Sequence, residues 1–137
     1  MACPYFYPVA RFETTSWVVP PRLPLGDPYN GECRANSAAQ LPDENTVRQI
    51  CNVGYGHARC DRFPEGAPAD AIRFNIAADE GELIHIQYIF EKDCWPKEHG
   101  WLECSSASVH VSDGPSDEIL QRQASAFVES YLRRRSQ

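Results

Sequence analysis

The pattern of apolar and polar positions changes character near residue 65. Beyond it, "AIRFNIAA" alternates Ile72, Phe74 and Ile76 against Arg73 and Asn75, and "ELIHIQYIFE" alternates Ile84, Ile86, Tyr88 and Phe90. A period of two marks half-buried strands, and the "ADEGE" between the two runs suits a hairpin turn. A third strand is expected to include Trp101 and Leu102, with "SASVHVS" as a further strand or an extended return. From about Ser116, after Gly114-Pro115, Leu120, Ala124, Phe127, Val128, Tyr131 and Leu132 fall on one helical stripe. That spacing predicts an amphipathic helix lying across the sheet.

Before residue 65 the chain has little periodicity. Seven of its eleven prolines fall by Pro42, including "PPRLPLGDP" at Pro20 to Pro28. Proline removes a donor and restricts its predecessor, so long helices and central strands are not expected from Met1 to Leu41. The segment is nevertheless apolar, with Tyr5, Phe6, Tyr7, Phe12, Trp17, Val18, Val19, Leu23 and Leu25. Such a stretch must wrap on something or be stapled. Gly26-Asp27-Pro28 and Asn30-Gly31 supply turn chemistry just before Cys33. A short helix follows, capped by Asp43 or Asn45, with Val47, Ile50 and Cys51 on one face and Gly54 as its left-handed terminator.

The expected fold class is α+β. An irregular Pro-rich, cysteine-bearing N-terminal lobe (1–65) rests on a small antiparallel sheet covered by a long C-terminal helix (66–137). A length of 137 residues suits one domain.

The net charge of −6 changes the picture of partners. Through Arg62 six arginines balance six acids, so the deficit lies in the second half. An acidic domain gains nothing from releasing polyphosphate counterions, which argues against nucleic acid. The one basic run, Arg133 to Arg135, closes a helix, where cations complement the dipole. No apolar run reaches the roughly 20 residues needed to cross a bilayer, so no membrane association is expected. The opening "MACPYFYPVARF" lacks the basic and apolar regions of a signal peptide, and the expected location is the cytoplasm.

Six cysteines are the unusual feature. In a reducing compartment such a count favours metal ligation or redox work over disulfides. Cys3, Cys33, Cys51 and Cys60 lie in the irregular half, spaced C-x29-C-x17-C-x8-C. Cys3 precedes a proline, expected to expose its sulfur on an extended backbone. Cys33 follows the Asn-Gly turn, Cys51 ends the short helix, and Cys60 follows a glycine-rich bend. A metal centre there would stand in for a core that the segment cannot build. Structural zinc sites use close pairs such as C-x2-C, and none is present. A [4Fe-4S] cluster is larger, so dispersed thiols can each take one corner. Its sulfides also accept backbone N–H bonds, for which the Gly54–Gly56 bend is the expected donor. Zinc, disulfides and free thiols remain alternatives at this point.

The blocks "CPYFYP", "RLPLGDPYNGEC" and "CNVGYGHARCDRFP" resemble those of small, largely uncharacterised bacterial proteins with four dispersed cysteines, which are iron–sulfur-like. The likeness covers about the first 65 residues. It implies ligation by Cys3, Cys33, Cys51 and Cys60, and implies no reaction.

Other chemistry is sparse. Cys94 and Cys104 flank "WPKEHGWLE", whose Trp95–Gly100 part reads as a turn and a candidate protein-binding tip. His57 offers a Cys3His zinc site as competitor, His85 sits in the polar phase of its strand, and His110 has no companion motif. Cys60 and His57 are too loosely spaced to define a thiol–imidazole pair. No nucleophile elbow, phosphate loop, zincin or dinucleotide fingerprint occurs. The expected function is therefore a small metalloprotein holding one [4Fe-4S] cluster and acting in electron transfer with a protein redox partner, or in redox sensing. The alternatives are a zinc-stapled interaction module and an exported disulfide-stabilised domain. With all four iron corners occupied, no open iron is left for Lewis-acid catalysis, so an enzyme is not the leading expectation.

Overall fold

The computed structural model describes residues 2–11, 25, 29–35, 41–43, 46, 50–52, 54, 60, 63–64, 67, 69–93, 95–106, 110–113 and 118–135. Two antiparallel sheets and a C-terminal helix form an α+β fold. Strands β1 (Phe6–Arg11) and β2 (Tyr29–Cys33) pair in a two-stranded ribbon. Strands β3 (Ala71–Asp79), β4 (Leu83–Lys92), β5 (Trp95–Ser105) and β6 (His110–Asp113) form a meander in that order. Helix α1 spans Glu118–Arg135.

The alternation read from the sequence explains the larger sheet. On β4, Ile84 and Ile86 point inward and are fully buried, opposite Cys104 and Leu102 of β5. Leu120, Ala124 and Val128 of α1 are buried against this face, and Phe127 stacks on Phe74 with ring centroids 5.6 Å apart. Each such aliphatic side chain contributes about 1.5–3 kcal/mol by leaving water. Gly81, at φ 85°, supplies the left-handed residue of the β3–β4 turn, and the Asp79 carboxylate accepts its N–H at 2.9 Å.

Two expectations are corrected here. The lobe is not wholly irregular, because β1 and β2 pair within it from Phe6↔Cys33 to Arg11↔Tyr29. Pro8 is accommodated by a bulge between Pro8 and Ala10, as suits a ribbon that is two-stranded among the described residues. Asn30-Gly31 is accordingly strand rather than turn. Gly31 is needed there because a side chain would strike the Tyr7 carbonyl across the ribbon. The second correction concerns Trp95–Gly100, which is the first half of β5 and not a turn. The chain reverses earlier, at Asp93, whose φ of 52° an aspartate tolerates. Its N–H donates to the buried Asp70 carboxylate at 2.7 Å. His99 and Glu98 thus lie on an exposed strand segment opposite Ile89 and Phe90.

One apolar cluster runs through lobe and sheet, joining Ala2, Phe6, Leu25 and Tyr29 to Ile72, Ile84 and Val128. The chain start is tied in by a reciprocal bridge, Ala2 N–H to Ile72 O at 2.7 Å and Ile72 N–H to Ala2 O at 2.8 Å. Helix α1 adds polar clamps. Arg122 donates to the carbonyls of Pro8 (2.7 Å) and Val9 (3.0 Å). The Tyr29 hydroxyl donates to the Ala126 carbonyl at 2.9 Å and lies 3.0 Å from Ser130 Oγ. Among the described residues no helix is long and apolar enough to cross a membrane.

Candidate metal centre

Four short segments bring Cys3, Cys33, Cys51 and Cys60 to the lining of one small cavity. The remaining lining is Tyr5, Phe6, Ala35, Ile50 and Phe63, so no charged side chain faces it among the described residues.

Backbone hydrogen bonds set each corner. Cys3 opens a turn in which the Phe6 N–H donates to the Cys3 carbonyl at 3.1 Å, with Pro4 at the favoured second position. The Cys3 N–H donates to the Cys51 carbonyl at 3.0 Å, which joins two corners directly. Cys33 ends β2 opposite Phe6, and the ladder continues with the Arg34 N–H donating to the Tyr5 carbonyl at 2.8 Å. The Asp43 carboxylate accepts the Thr46 N–H at 2.8 Å, and Cys51 lies in a helical turn with Ile50, while residues 44, 45 and 47–49 of the expected helix lie outside the described residues. Gly54, at φ 86°, ends that turn as expected, its N–H donating to Ile50 O at 2.8 Å. Beside Cys51, buried Asn52 grips both backbone groups of Tyr29 at 2.9 Å each. Cys60 opens a second turn, the Phe63 N–H donating to its carbonyl at 3.1 Å. The Phe63 ring then meets Tyr5 edge-on at 5.5 Å, closing the ring of four.

Exposure divides the corners. Cys3 and Cys51 are buried, whereas Cys33 and Cys60 are half-buried and form the rim. The expectation that Pro4 exposes the Cys3 sulfur is therefore wrong, since the turn folds it inward. Burial pushes the Cys3 thiol up to about 12. The Tyr5 N–H opposes this, Cys33 and Cys60 add to it by charge repulsion, and the Phe6 N–H also opposes it. The N–H donors facing sulfur thus come from the Cys3 turn. Gly54, one of the donors anticipated from the glycine bend, spends its N–H on Ile50.

Thiolates that repel one another inside an apolar cavity need a cation to be stable. A thiophilic group suits this donor set, four sulfurs with no oxygen or charged side chain in the lining. Among the described residues, no three Cys, His, Asp or Glu side chains stand close enough to hold one metal ion. Cys3, Cys33, Cys51, Cys60 and Cys104 are free thiols. Cys104 is buried under α1, away from the cavity lining. Cys94 and His57 lie outside the described residues, as does the glycine-rich bend before Cys60. His85 lies between Glu80 (3.4 Å) and Glu103 (3.6 Å).

Sequence reasoning missed a local signal. Both turn-forming corners read Cys-x-x-Phe, at Cys3–Phe6 and Cys60–Phe63, and in each the cysteine carbonyl accepts the phenylalanine N–H. It also missed Gln123 and Ser130, polar residues buried on the apolar face of α1. No protein-family model, curated protein or solved structure matches the chain.

Proposed function

We propose that the chain is a cytoplasmic metalloprotein that binds one [4Fe-4S] cluster through Cys3, Cys33, Cys51 and Cys60. The observation that carries this reading is an apolar cavity lined by thiols from four separate segments. The thiols are dispersed along the chain with no close Cys-x2-Cys pair, which favours a group with four metal corners over mononuclear zinc. When bound, such a cluster exchanges single electrons. The protein's own part is to keep Cys3 and Cys51 away from water, to direct N–H groups at the Cys3 sulfur, and to leave Cys33 and Cys60 at the rim. The rim is where a protein redox partner approaches or an oxidant attacks, so the role is electron transfer or redox sensing. An all-cysteine site leaves no position for substrate, which argues against a hydrolytic or dehydrating enzyme.

Anaerobically prepared protein is expected to be brown, to absorb broadly near about 400 nm, and to contain roughly four irons and four sulfides per chain. Cys51→Ser is expected to lower both. A colourless protein carrying one zinc, or a Cys51→Ser variant with full iron and sulfide, overturns the assignment.

A further inference from the structure

The buried amide of Gln123 is unusual for a position on the apolar stripe of a helix. Its side chain is fully buried, and its Nε2 donates to two carbonyls at once, Cys3 O at 2.7 Å and Phe6 O at 2.8 Å. Those carbonyls begin and end the turn whose Tyr5 N–H is directed at the Cys3 sulfur, with the Phe6 N–H shared between that sulfur and the Cys3 carbonyl at 3.1 Å. Only an NH2 can satisfy two acceptors from one nitrogen here, so the orientation of the amide is fixed by chemistry. The consequence is that Gln123 Oε1 is buried with no hydrogen-bond partner. A side chain that leaves its own acceptor unsatisfied is retained for its two donors. The sequence separations, 120 and 117 residues, make this a tertiary clamp and not local turn chemistry.

We propose that Gln123 is the positioning residue of the Cys3 corner, clamping the Cys3–Phe6 turn so that its N–H groups stay aimed at the ligating sulfur. This rests on the cluster reading above. N–H donors to a thiolate ligand stabilise the more electron-rich, reduced cluster and so raise its reduction potential. Gln123 does not line the cavity. It acts through the turn, and its removal loosens the donors while all four ligands remain.

The test compares wild type with Gln123→Met, which keeps the length of the side chain and loses both donors. Each protein is loaded anaerobically with iron and sulfide, analysed for both, and titrated potentiometrically by electron paramagnetic resonance. Gln123→Met is expected to keep its four irons and to be about tenfold less reduced at the wild-type midpoint, a downward shift of about 59 mV for one electron. Full cluster content with an unchanged midpoint and unchanged spectrum overturns the positioning role. If Gln123→Met does not fold, Gln123→Glu, which turns a carboxylate toward the two carbonyls, is read the same way. Failure of both variants to fold, judged by circular dichroism, makes Gln123 a purely structural residue and also overturns the proposal. Wild-type protein that takes up no iron and sulfide is a different result, because it sinks the cluster reading and this inference with it.

Discussion

Replacing Gly31 by alanine should part the β1–β2 ribbon, and with it the spacing of the Cys3 and Cys33 corners. An ideal Cβ on Gly31 would lie 2.9 Å from Pro8 Cα and closer still to the Tyr7 carbonyl oxygen. Both obstacles are backbone, so no rotamer change relieves the contact, and the strands must separate. Overpacking of this kind costs about 1–3 kcal/mol. At roughly 3–5 °C per kcal/mol for a chain of this size, the midpoint of thermal unfolding should fall by roughly 3–15 °C. Gly81→Ala is the control. Gly81 has φ of +85° with open space where its Cβ would be, so its cost is the left-handed backbone alone, about 1 kcal/mol. Melts followed by circular dichroism should rank wild type, Gly81→Ala and Gly31→Ala in falling order. Iron retained after anaerobic loading should fall further for Gly31→Ala than for Gly81→Ala. A Gly31→Ala protein that melts with wild type and keeps its iron would refute the close approach of the two strands and its role in the site.

Asn52→Leu removes the two bonds that hold the Tyr29 backbone beside Cys51, and should cost about 2–6 kcal/mol in denaturant unfolding, at about 1–3 kcal/mol per buried group deprived of its partner. Asp70→Ala removes the acceptor of the Asp93 N–H and the 3.5 Å contact with Lys92, and should speed amide exchange of the β4–β5 turn well before β3 and β4 separate. Alkaline pH should destabilise the metal-free protein. Burial pushes the Cys3 thiol from 9.0 to about 12, and burial followed by repulsion from Glu129 pushes Cys104 from 9.0 to about 11. Both values are raised in the folded state, so the protonated thiols contribute stability that is complete below about pH 9 and is lost as pH rises through 11 to 12. Unfolding free energy that stays flat across that window would contradict the burial of these two groups.

The second half was legible from the sequence because its chemistry is periodic. Ile72, Phe74, Ile84 and Ile86 announce one buried face, and Leu120, Ala124 and Val128 another. Trp95 to His99 escaped because this part of β5 is solvent-exposed, so burial imposed no alternation on it. In the lobe, proline content masked β1 and β2, whose pairing needs only a bulge at Pro8 and a bare Cα at Gly31. The convergence of four cysteines was an inference from residue type. The geometry that assembles them, Ala2 on Ile72, Cys3 on Cys51 and Tyr5 on Phe63, joins residues that no spacing rule relates. Gln123 was unreadable for the same reason. On a helical wheel it is a polar residue in an apolar stripe, and only the turn beneath it gives it a purpose.

The clamps from α1 also impose an order on assembly. All four thiols are encoded by residue 60, yet the side chains that fix the Cys3 turn and Tyr29 belong to residues 122 to 130. Ser130 follows Cys60 by 70 residues, an interval of roughly 4–14 s at a synthesis rate of about 5–20 residues per second. Throughout that interval the nascent lobe carries its cysteines without the helix that holds them in place. If the proposed cluster is bound, metal delivered early would meet a loose set of thiols, and metal delivered after α1 docks would meet a formed cavity with Cys33 and Cys60 at its rim. On the proposed cluster reading, loading is expected to be most efficient once α1 has docked.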